Sequence, residues 1–286
     1  MKLFVTGATG FIGQNFIKKA LESKHQVYAL TRKHVIPFKF ESSLNLNWII
    51  GELDGDYKKI FEECDVLIHL ASHGVSPQPG SWSDCIDVNV KKSTQLILNA
   101  ISSGINNFLV SGTFAEYGEY GLKHKYIPAD SLLKPNGPYA TTKAMFHEVC
   151  RQLSKEKKIK IIYTRLFSVY GEGQNENNLW PSLKYAAINN LDFRLTKGEQ
   201  VRDFISVDNV CVKLLSLIKE YKAIDPGNQI TINIGSGIPK TVAEFSKYWW
   251  KKFESKGQLL IGALPYRENE IMRYVPDIDN NLINPK

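Results

Sequence analysis

The sequence predicts an α/β fold, with a doubly wound parallel sheet followed by a smaller C-terminal α/β lobe. Short β-branched runs alternate with amphipathic stretches through the first half of the chain, as in repeated βα units. A glycine-rich turn directly follows the first run, and the alternation changes beyond Gly171. We therefore expect one domain over residues 1–170 and a second lobe over residues 171–286, interleaved with the end of the sheet.

The first half contains six predicted strands, each a run of aliphatic and β-branched residues. They cover residues 2–6, 26–31, 47–51, 65–70, 108–111 and 160–166. Between the first two strands, apolar residues recur at helical spacing from Phe11 to Leu21, which predicts a helix. Two further helices are predicted over residues 90–102 and 139–154. The second follows the helix-breaking segment LKPNGP.

The second half has a looser pattern. The loop GEGQNENN precedes a predicted helix over residues 181–190, and a short strand follows. A helix is then predicted over residues 207–221 and a strand over residues 229–234. Trp249 and Trp250 fall in a further amphipathic stretch, where we expect them to pack against the rest of the lobe.

Composition indicates a chain that buries a sizeable core. Of its 286 residues, 43% are hydrophobic and 23% are charged, which is typical of a globular protein. The net charge of +7 suits nucleic acid, acidic lipid or a phosphorylated small molecule. No basic face is interleaved with aromatic residues, so we do not expect a nucleic-acid partner.

Neither a membrane segment nor a metal site is predicted. No apolar stretch reaches the length of a membrane span, and the first apolar run meets glycine at Gly7, so we expect a cytoplasmic protein. The four cysteines, Cys64, Cys85, Cys150 and Cys211, lie far apart without metal-binding spacing. Free thiols in a reducing compartment are the expected state.

The turn TGATGFIG follows the first strand and opens the first helix. Gly7, Gly10 and Gly13 provide a tight turn, close approach of a phosphate to the backbone, and close packing of helix on strand. Phe11 and Ile12 begin the helix, whose N-terminal N–H groups face the diphosphate in such sites. The pattern predicts a Rossmann-like domain that binds a dinucleotide.

The end of the second strand indicates which dinucleotide is bound. An NAD site normally carries Asp or Glu there to hold the ribose 2′-hydroxyl, whereas a 2′-phosphate favours cations. Thr31 occupies the acidic position, and Arg32 and Lys33 follow it. The sequence therefore predicts that NADP(H) is preferred over NAD(H).

Tyr139 and Lys143 form a YxxxK pair on the predicted helix over residues 139–154. Residues four apart share one helix face, and a nearby ammonium favours the phenolate of a tyrosine. Thr113 ends the strand segment VSGT, and the carboxyl edge of a parallel sheet is where doubly wound folds assemble their sites. These three residues are the predicted catalytic group.

These motifs and their order resemble the extended short-chain dehydrogenase/reductase family of nucleotide-sugar epimerases, dehydratases and reductases. The resemblance covers nearly the whole chain, through TGATGFIG, DVLIHLAS, DVNV, GTFAEYG, YATTK, RLFSVYGEGQ, RDFISVDNV and YRENE. It implies catalysis by Thr113, Tyr139 and Lys143, with Lys143 also on the nicotinamide ribose. The other implied cofactor contacts are Glu52 and Leu53 near the adenine, and Ala71, Ser72 and Asn89 along the cofactor cleft.

The resemblance also implies contacts to a nucleotide-diphosphate sugar. Arg202 and Arg267 suit a diphosphate, although salt bridges to Asp203 and Glu270 are alternative roles for them. Ser168 stands where many relatives carry Asn. The remaining implied substrate contacts are His73, Glu116 and Asn178. The alternative role for His73 is a hydrogen bond to the local backbone. The alternative role for Glu116 is to cap the strand end.

The residues around Thr113 narrow the choice of reaction within the family. Dehydratases of the family carry an Asp-Glu pair after the catalytic Thr, whereas Phe114 and Ala115 follow here. The fucose-synthase branch uses a Cys at the position of Ala115. The chain looks most like the reductases that make CDP-abequose, CDP-paratose or dTDP-fucose. The resemblance therefore implies NADPH-dependent reduction of the C4 ketone of a nucleotide-linked 4-keto-6-deoxyhexose.

Three further expectations accompany this assignment. A C4 epimerase with tightly held NAD is the rival enzyme, and the basic end of the second strand argues against it. A non-catalytic, cofactor-sensing regulator is the rival from another class. A homodimer is expected, because relatives often pair through the helices equivalent to residues 90–102 and 139–154. The nucleotide base and the product stereochemistry stay open.

Overall fold

The computed structural model describes residues 1–32, 43–75, 77, 79–268 and 270–278. Its strands, in chain order, are β1 (Lys2–Thr6), β2 (Gln26–Thr31), β3 (Leu46–Ile50), β4 (Val66–His69), β5 (Asn107–Thr113), β6 (Lys160–Leu166), β7 (Ser168–Tyr170), β8 (Phe193–Leu195), β9 (Val201–Ser206), β10 (Gln229–Ile234), β11 (Pro239–Thr241), β12 (Leu259–Ile261) and β13 (Arg273–Tyr274).

The α-helices are α1 (Phe11–Glu22), α2 (Lys58–Phe61), α3 (Trp82–Ile86), α4 (Ser93–Ser102), α5 (Gly137–Lys157), α6 (Leu179–Ile188), α7 (Val207–Leu217) and α8 (Val242–Lys252). A π-helical segment, Asp87–Lys92, joins α3 directly to α4. Three short 3₁₀ segments lie at Phe114–Tyr117, Glu119–Lys123 and Glu220–Ala223. Within the described residues, no helix is both long enough and apolar enough to cross a bilayer.

A seven-stranded parallel sheet forms the centre of the described structure. Its strand order is β10-β6-β5-β4-β1-β2-β3. The order reverses between β1 and β4, which is the switch point of a doubly wound sheet, where ligands bind beyond the carboxyl ends of the strands. The predicted Rossmann-like fold class is confirmed. The division near Gly171 stays a prediction, and β10 brings a strand from the second half of the chain to the sheet edge.

The two faces of this sheet are covered by separate apolar layers, because alternate residues of each strand point to opposite sides. On one side, Leu3 and Val5 of β1 pack in the layer that also contains α1 and α7 residues. On the other side, Phe4 packs with residues of α4 and α5. Cys211 lies in the first layer and Cys150 in the second. All four cysteines are described, and none forms a disulfide.

The second lobe contains two smaller sheets. β9 lies between β11 and β13, and β7 also pairs with β9 in parallel. β8 pairs with β12. Aromatic side chains fill this lobe, with Trp180 and Trp249 ring centroids 5.4 Å apart. Trp249 also stacks on Phe253, so its predicted packing role is confirmed.

Most predicted elements are present with small shifts of their ends. The strands predicted over residues 2–6, 26–31, 160–166 and 229–234 have those bounds. The helix predicted over residues 90–102 continues a helical run that begins at Trp82, where Ser81 caps the N-terminus through the Asp84 amide. The predicted helix over residues 207–221 ends earlier, at Leu217, and a 3₁₀ segment follows it.

Candidate active site

The glycine turn between β1 and α1 contains close backbone contacts that a side chain would prevent. Gly7 has a φ of +67°, and a Cβ there would lie 2.7 Å from the Ala71 nitrogen. A Cβ on Gly13 would lie 2.0 Å from the Gly7 carbonyl oxygen. Gly10 is the N-cap of α1 and provides no side-chain hydrogen bond. The first N–H groups of α1 are therefore available to an anion.

This turn forms one end of a cavity of about 1090 Å³. The cavity follows the carboxyl edge of the large sheet and extends into the second lobe. The residues predicted from the sequence that line it are Gly7, Gly10, Phe11, Ile12, Gly13, Thr31, Arg32, Glu52, Leu53, Ala71, Ser72, His73, Thr113, Tyr139, Ser168, Asn178, Arg202 and Arg267. Lys33 lies outside the described residues.

Thr31 and Arg32 border the cavity at the end of β2. The Thr31 side chain is buried, and Arg32 is exposed. Glu52 and Leu53 line the cavity just beyond β3, and Glu52 lies 3.7 Å from the Lys92 ammonium. The site therefore combines an uncharged residue at the strand end with an exposed guanidinium directly after it.

Tyr139 lies in the first turn of α5 and faces the cavity. Burial of the phenol is the largest influence on its pKa, raising it to about 12. The hydroxyls of Thr113, at the end of β5, and Ser72, after β4, lie near the phenol and act on its pKa in the opposite direction. Tyr139 is therefore protonated throughout the neutral range.

Lys143 follows Tyr139 by one helical turn but is only 1% exposed and does not belong to the described cavity lining. Burial lowers the pKa of its ammonium, and the Glu116 carboxylate opposes that effect. The Tyr139 pKa is not brought toward neutrality in this structure, and stabilisation of the phenolate by Lys143 stays a prediction. Desolvation of the phenol dominates instead.

Asn89 was predicted as a cofactor contact, and the structure corrects this assignment. Its side chain is 1% exposed and bonds to the protein at every polar atom. The Asn89 Oδ1 accepts from the His73 amide at 2.8 Å, and Nδ2 donates to the His73 carbonyl and the Thr142 hydroxyl, each at 3.0 Å. Asn89 therefore holds the loop after β4 and supports Ser72 and His73 from behind.

Glu116 was predicted as a substrate contact, and this assignment is also wrong. Glu116 is fully buried and is not among the described residues that line the cavity. Its carboxylate accepts from the Thr113 amide at 2.8 Å, while the Thr113 hydroxyl accepts from the 3₁₀ backbone, which is a capping box. The alternative role as a cap on the strand end is the one observed.

Arg202, on β9, belongs to a charged pair that faces the cavity. Its Nη2 lies 3.0 Å from the Glu270 Oε1 and also donates to the Ile271 carbonyl. Burial lowers the pKa of Arg202, and Glu270 opposes that effect. Asp203 is not the partner, because it is buried and accepts from the Ser236 and Gly237 amides at 2.7 and 2.6 Å.

Several cavity-lining residues, most of them in the second lobe, were not predicted from the sequence. Phe204 and Phe245 stack with centroids 3.9 Å apart and rings 14° from parallel. Arg194, on β8, also lines the cavity and donates to the Ala263 carbonyl at 2.9 Å. The other missed lining residues with polar or aromatic side chains include Tyr170, Gln174, Trp180 and Gln200. The alternating pattern of residues 193–195 was the available signal for Arg194.

The chain matches one described protein family over most of its length. Residues 3–235 match the family described as the NAD dependent epimerase/dehydratase family. The chain is 27% identical over 292 residues to the CDP-abequose synthase of Salmonella typhimurium, a match that covers 97% of this chain and 90% of the relative. It is 27% identical to the dTDP-6-deoxy-L-talose 4-dehydrogenase (NAD(+)) of Aggregatibacter actinomycetemcomitans, with coverages of 85% and 87%.

Solved structures share the fold. The UDP-N-acetylglucosamine 4-epimerase of Methanobrevibacter ruminantium superimposes with a TM-score of 0.84 at 24% identity, covering 100% of this chain and 92% of that one. The UDP-glucose 4-epimerase of Thermotoga maritima gives a TM-score of 0.83 at 21% identity, with coverages of 98% and 90%. At these identities the likeness concerns the arrangement of the chain.

Proposed function

Because this chain belongs to the NAD-dependent epimerase/dehydratase family, we propose that it reduces the C4 ketone of a nucleotide-linked 4-keto-6-deoxyhexose with NADPH. The observation that carries the proposal is that Thr113 and Tyr139 line the same cavity as Phe114 and Ala115, with the Thr113 hydroxyl near enough to lower the pKa of the phenol. This arrangement offers a proton donor without the adjacent carboxyl groups that elimination of water requires. The similarity to a CDP-abequose synthase supports the same reaction class.

A nicotinamide dinucleotide fits the residues at the glycine turn. Gly7 and Gly13 allow the backbone of β1, the turn and α1 to pack closely, and α1 begins without a side-chain cap, so its first N–H groups face the cavity. Gly7, Gly10 and the first turn of α1 would hold the diphosphate, and Ala71 and Ser72 would lie along the rest of the cofactor. When bound, the cofactor supplies the hydride for the ketone carbon.

Tyr139 then acts as the general acid. Its high pKa keeps the proton on the phenol at neutral pH, which is the state that reduction of a ketone needs. Thr113 would hold the ketone oxygen next to Tyr139, so that the developing negative charge meets two hydroxyl donors. After the proton has left Tyr139, the buried Lys143 ammonium one turn away stabilises the phenolate.

Arg32 supports a preference for NADPH over NADH. Its guanidinium is exposed at the cavity edge, directly after Thr31, where it would form charge-assisted hydrogen bonds to a 2′-phosphate. Of the residues that the structure describes at the end of β2, Thr31 and Arg32, neither is a carboxylate that could accept from a free 2′-hydroxyl. Lys33, the second predicted cation, lies outside the described residues.

Arg202 and Arg267 would bind the diphosphate of the nucleotide sugar. Both line the cavity in the second lobe, and Arg202 is already paired with Glu270. A diphosphate would compete with that carboxylate for the guanidinium. His73, Ser168 and Asn178 also line the cavity, and we propose that they contact the sugar or its phosphates.

We also propose a homodimer formed through α3, the π segment, α4 and α5. Trp82, Ile86 and Met145 are apolar residues on these helices that are 52%, 42% and 44% exposed. Light scattering coupled to size exclusion would measure the mass in solution. A monomer at micromolar concentration would contradict this part of the proposal.

The reaction is tested by incubating the protein with NADPH and a panel of CDP-, dTDP- and GDP-linked 4-keto-6-deoxysugars. With one of these sugars, we expect the amount of NADPH consumed to equal the amount of 4-hydroxy product formed. NMR would identify that product. Interconversion of C4 epimers without net NADPH loss would identify an epimerase instead. Tight NADPH binding without turnover of any sugar would favour the regulator.

A further inference from the structure

The Glu116 carboxylate is the buried anion closest in sequence to Thr113, and the reaction proposed above gives it no role. It is fully buried, and its partner Arg165 is 2% exposed. The Arg165 Nε lies 2.7 Å from the Glu116 Oε2. Removing two charges from water is costly, so a pair of this kind needs further hydrogen bonds to be tolerated.

The other carboxylate oxygen of Glu116 contacts the end of β5 and the Tyr163 side chain of β6. Its Oε1 accepts from the Thr113 amide at 2.8 Å and lies 2.9 Å from the Tyr163 hydroxyl. The same hydroxyl lies 3.0 Å from the carbonyl oxygen of Lys143. The Tyr163 hydroxyl, whose single proton is shared between these two acceptors, therefore lies between the Glu116 carboxylate and the turn of α5 that carries Lys143.

Arg165 extends this network away from the cavity. Its Nη1 donates to the Ala129 carbonyl at 2.8 Å and to the Tyr117 hydroxyl at 3.2 Å. Tyr117 in turn donates to the Asn233 Oδ1 at 2.6 Å, on β10. The pair is thus anchored to several neighbouring segments, so that Glu116 is a fixed point for the two elements it touches.

The backbone beside Glu116 is shaped to accommodate it. A Cβ added at Gly112 would lie 2.5 Å from the Glu116 Oε1 and 2.2 Å from the Tyr163 ring. Glycine at this position lets the carboxylate and the phenol fit side by side under the strand end. The close fit at Gly112, the ion pair of Oε2 and the two hydrogen bonds of Oε1 together indicate a built position.

We propose that Glu116 is a positioning residue, whose buried carboxylate fixes Thr113 directly and Lys143 through Tyr163 in the geometry needed for proton transfer. Glu116 does not touch the substrate or the cofactor. The kinetic part of this inference rests on the proposed reductase activity, whereas the part on local structure does not. A loss of alignment by about 1 Å costs about 100-fold in rate in well-ordered sites.

The charge of Glu116 has a second effect. It raises the pKa values of Lys143 and Tyr139, opposing burial at the lysine and adding to it at the tyrosine. Removing the charge should therefore lower both pKa values. The titratable or charged groups that face Glu116 or Lys143 are Arg165, Tyr163, Tyr117, Tyr139, Cys150 and His69.

The first test uses Glu116→Gln, with Glu119→Gln as a matched control. Glu119 pairs with Lys134 at the surface, where both side chains are more than half exposed, and it lies three residues along the same segment. We expect Glu116→Gln to lower kcat about 10- to 100-fold with little change in KM, and Glu119→Gln to leave both unchanged. Equal kcat values for Glu116→Gln and the parent would overturn the proposal.

Glu116→Gln leaves Arg165 buried without an anion, which destabilises the fold, so a double variant separates stability from positioning. Glu116→Val with Arg165→Met removes both charges and should restore the Tm, as such replacements often do. We expect kcat to stay reduced in this variant. Recovery of the parental kcat would show that Glu116 only neutralises Arg165, and would overturn the proposal.

Tyr163→Phe provides a milder variant that keeps the ion pair. It removes the hydroxyl between Glu116 and the Lys143 carbonyl, and we expect a smaller fall in kcat than for Glu116→Gln. In Glu116→Gln, the fall of kcat at high pH should begin at a lower pH than in the parent. In Tyr163→Phe, it should begin at the same pH as in the parent. A parental kcat in Tyr163→Phe would overturn the link to Lys143.

A measurement without substrate distinguishes failure of this inference from failure of the proposed reaction. Hydrogen exchange of the Thr113 amide reports its bond to Glu116 directly. We expect the double variant to exchange this amide at least tenfold faster than the parent while retaining its affinity for NADPH. Unchanged protection would overturn the proposal even if no sugar in the panel is reduced.

Discussion

The two walls of the cavity are made in different ways. The wall beside β1 and β2 is defined by the backbone: Gly7 and Gly13 lie where a Cβ would meet main-chain atoms, and the α1 N-terminus points into the space. The wall of the second lobe is defined by side chains, including Arg202 and Phe204 of β9 and the Phe245 ring of α8, which stacks on Phe204.

This difference has consequences for binding. A wall made of backbone recognises what all dinucleotides share, and a substitution there acts through steric conflict and folding. A wall made of side chains can change its ligand by exchanging individual contacts, because each side chain leaves the main chain in place. Tyr139 lies between the two walls, near the Thr113 and Ser72 hydroxyls. Substitutions in either wall should leave these contacts of Tyr139 unchanged.

Tyr139→Phe should have the largest effect on turnover and should leave both walls intact. Loss of the general acid is expected to lower kcat about 100- to 10,000-fold, while the Kd for NADPH stays within about twofold. Stopped-flow absorbance and calorimetry measure the two quantities. Tyr185→Phe, at a residue 66% exposed on α6, is the control. A normal kcat in Tyr139→Phe would remove the proposed acid.

Gly13→Ala tests the backbone-defined wall. The new Cβ would meet the Gly7 carbonyl oxygen at 2.0 Å, so the turn must move, at a cost of up to about 3 kcal/mol. We expect NADPH binding to weaken about 100-fold, measured by calorimetry.

Gly10→Ala in the same turn is the control for stability, since its Cβ meets only that oxygen, at 3.1 Å. We expect its free energy of unfolding in urea to stay close to that of the parent. Parental NADPH affinity in Gly13→Ala would contradict the distinction between the two walls.

Arg202→Met tests the wall made of side chains. Hydrogen bonds to charged groups contribute about 1.5–3 kcal/mol, so KM for the nucleotide sugar should rise about 10- to 100-fold. The Kd for NADPH should not change, because Arg202 lies in the second lobe. Arg273→Met is the control, since Arg273 bonds to the Lys125 carbonyl and is not among the described lining residues. Equal losses for both ligands would contradict the separation.

Arg32→Ala should have the smallest effect and concerns cofactor choice. Loss of one charge-assisted contact at an exposed site is expected to reduce the ratio of NADPH to NADH affinity about tenfold. Paired Kd measurements check this ratio. Arg151→Ala, in a surface ion pair with Glu148, should leave the ratio unchanged. An NADH affinity above that for NADPH in the parent protein would contradict the proposed preference.

The backbone-defined wall could be predicted from the sequence because its determinants are local. The bounds of β1 and β2 follow from their apolar runs, and the glycines fall within eight consecutive residues. The second lobe could not be predicted to the same depth. β11, β12 and β13 have two or three residues each, and their pairing with β9 or β8 depends on segments far apart in the chain.

Glu116 and Asn89 show a different limit of prediction from the sequence. Their motifs placed them near the site, but a motif does not say whether a side chain points into a cavity or away from it. The capping-box pattern Thr-x-x-Glu from Thr113 to Glu116 was present in the sequence and indicates the inward orientation. For Asn89, the orientation follows from the loop after β4, which only the folded structure defines.

The placement of Cys150 and Cys211 on opposite faces of the large sheet provides two internal reporters of unfolding. Burial raises the pKa of both thiols to about 12, so alkylating reagents should react with them only after the surrounding layer opens. Cys150 is covered by the layer that holds α5, and Cys211 by the layer that holds α1. Comparing their labelling rates would therefore reveal whether the two sides of the sheet separate together or one before the other.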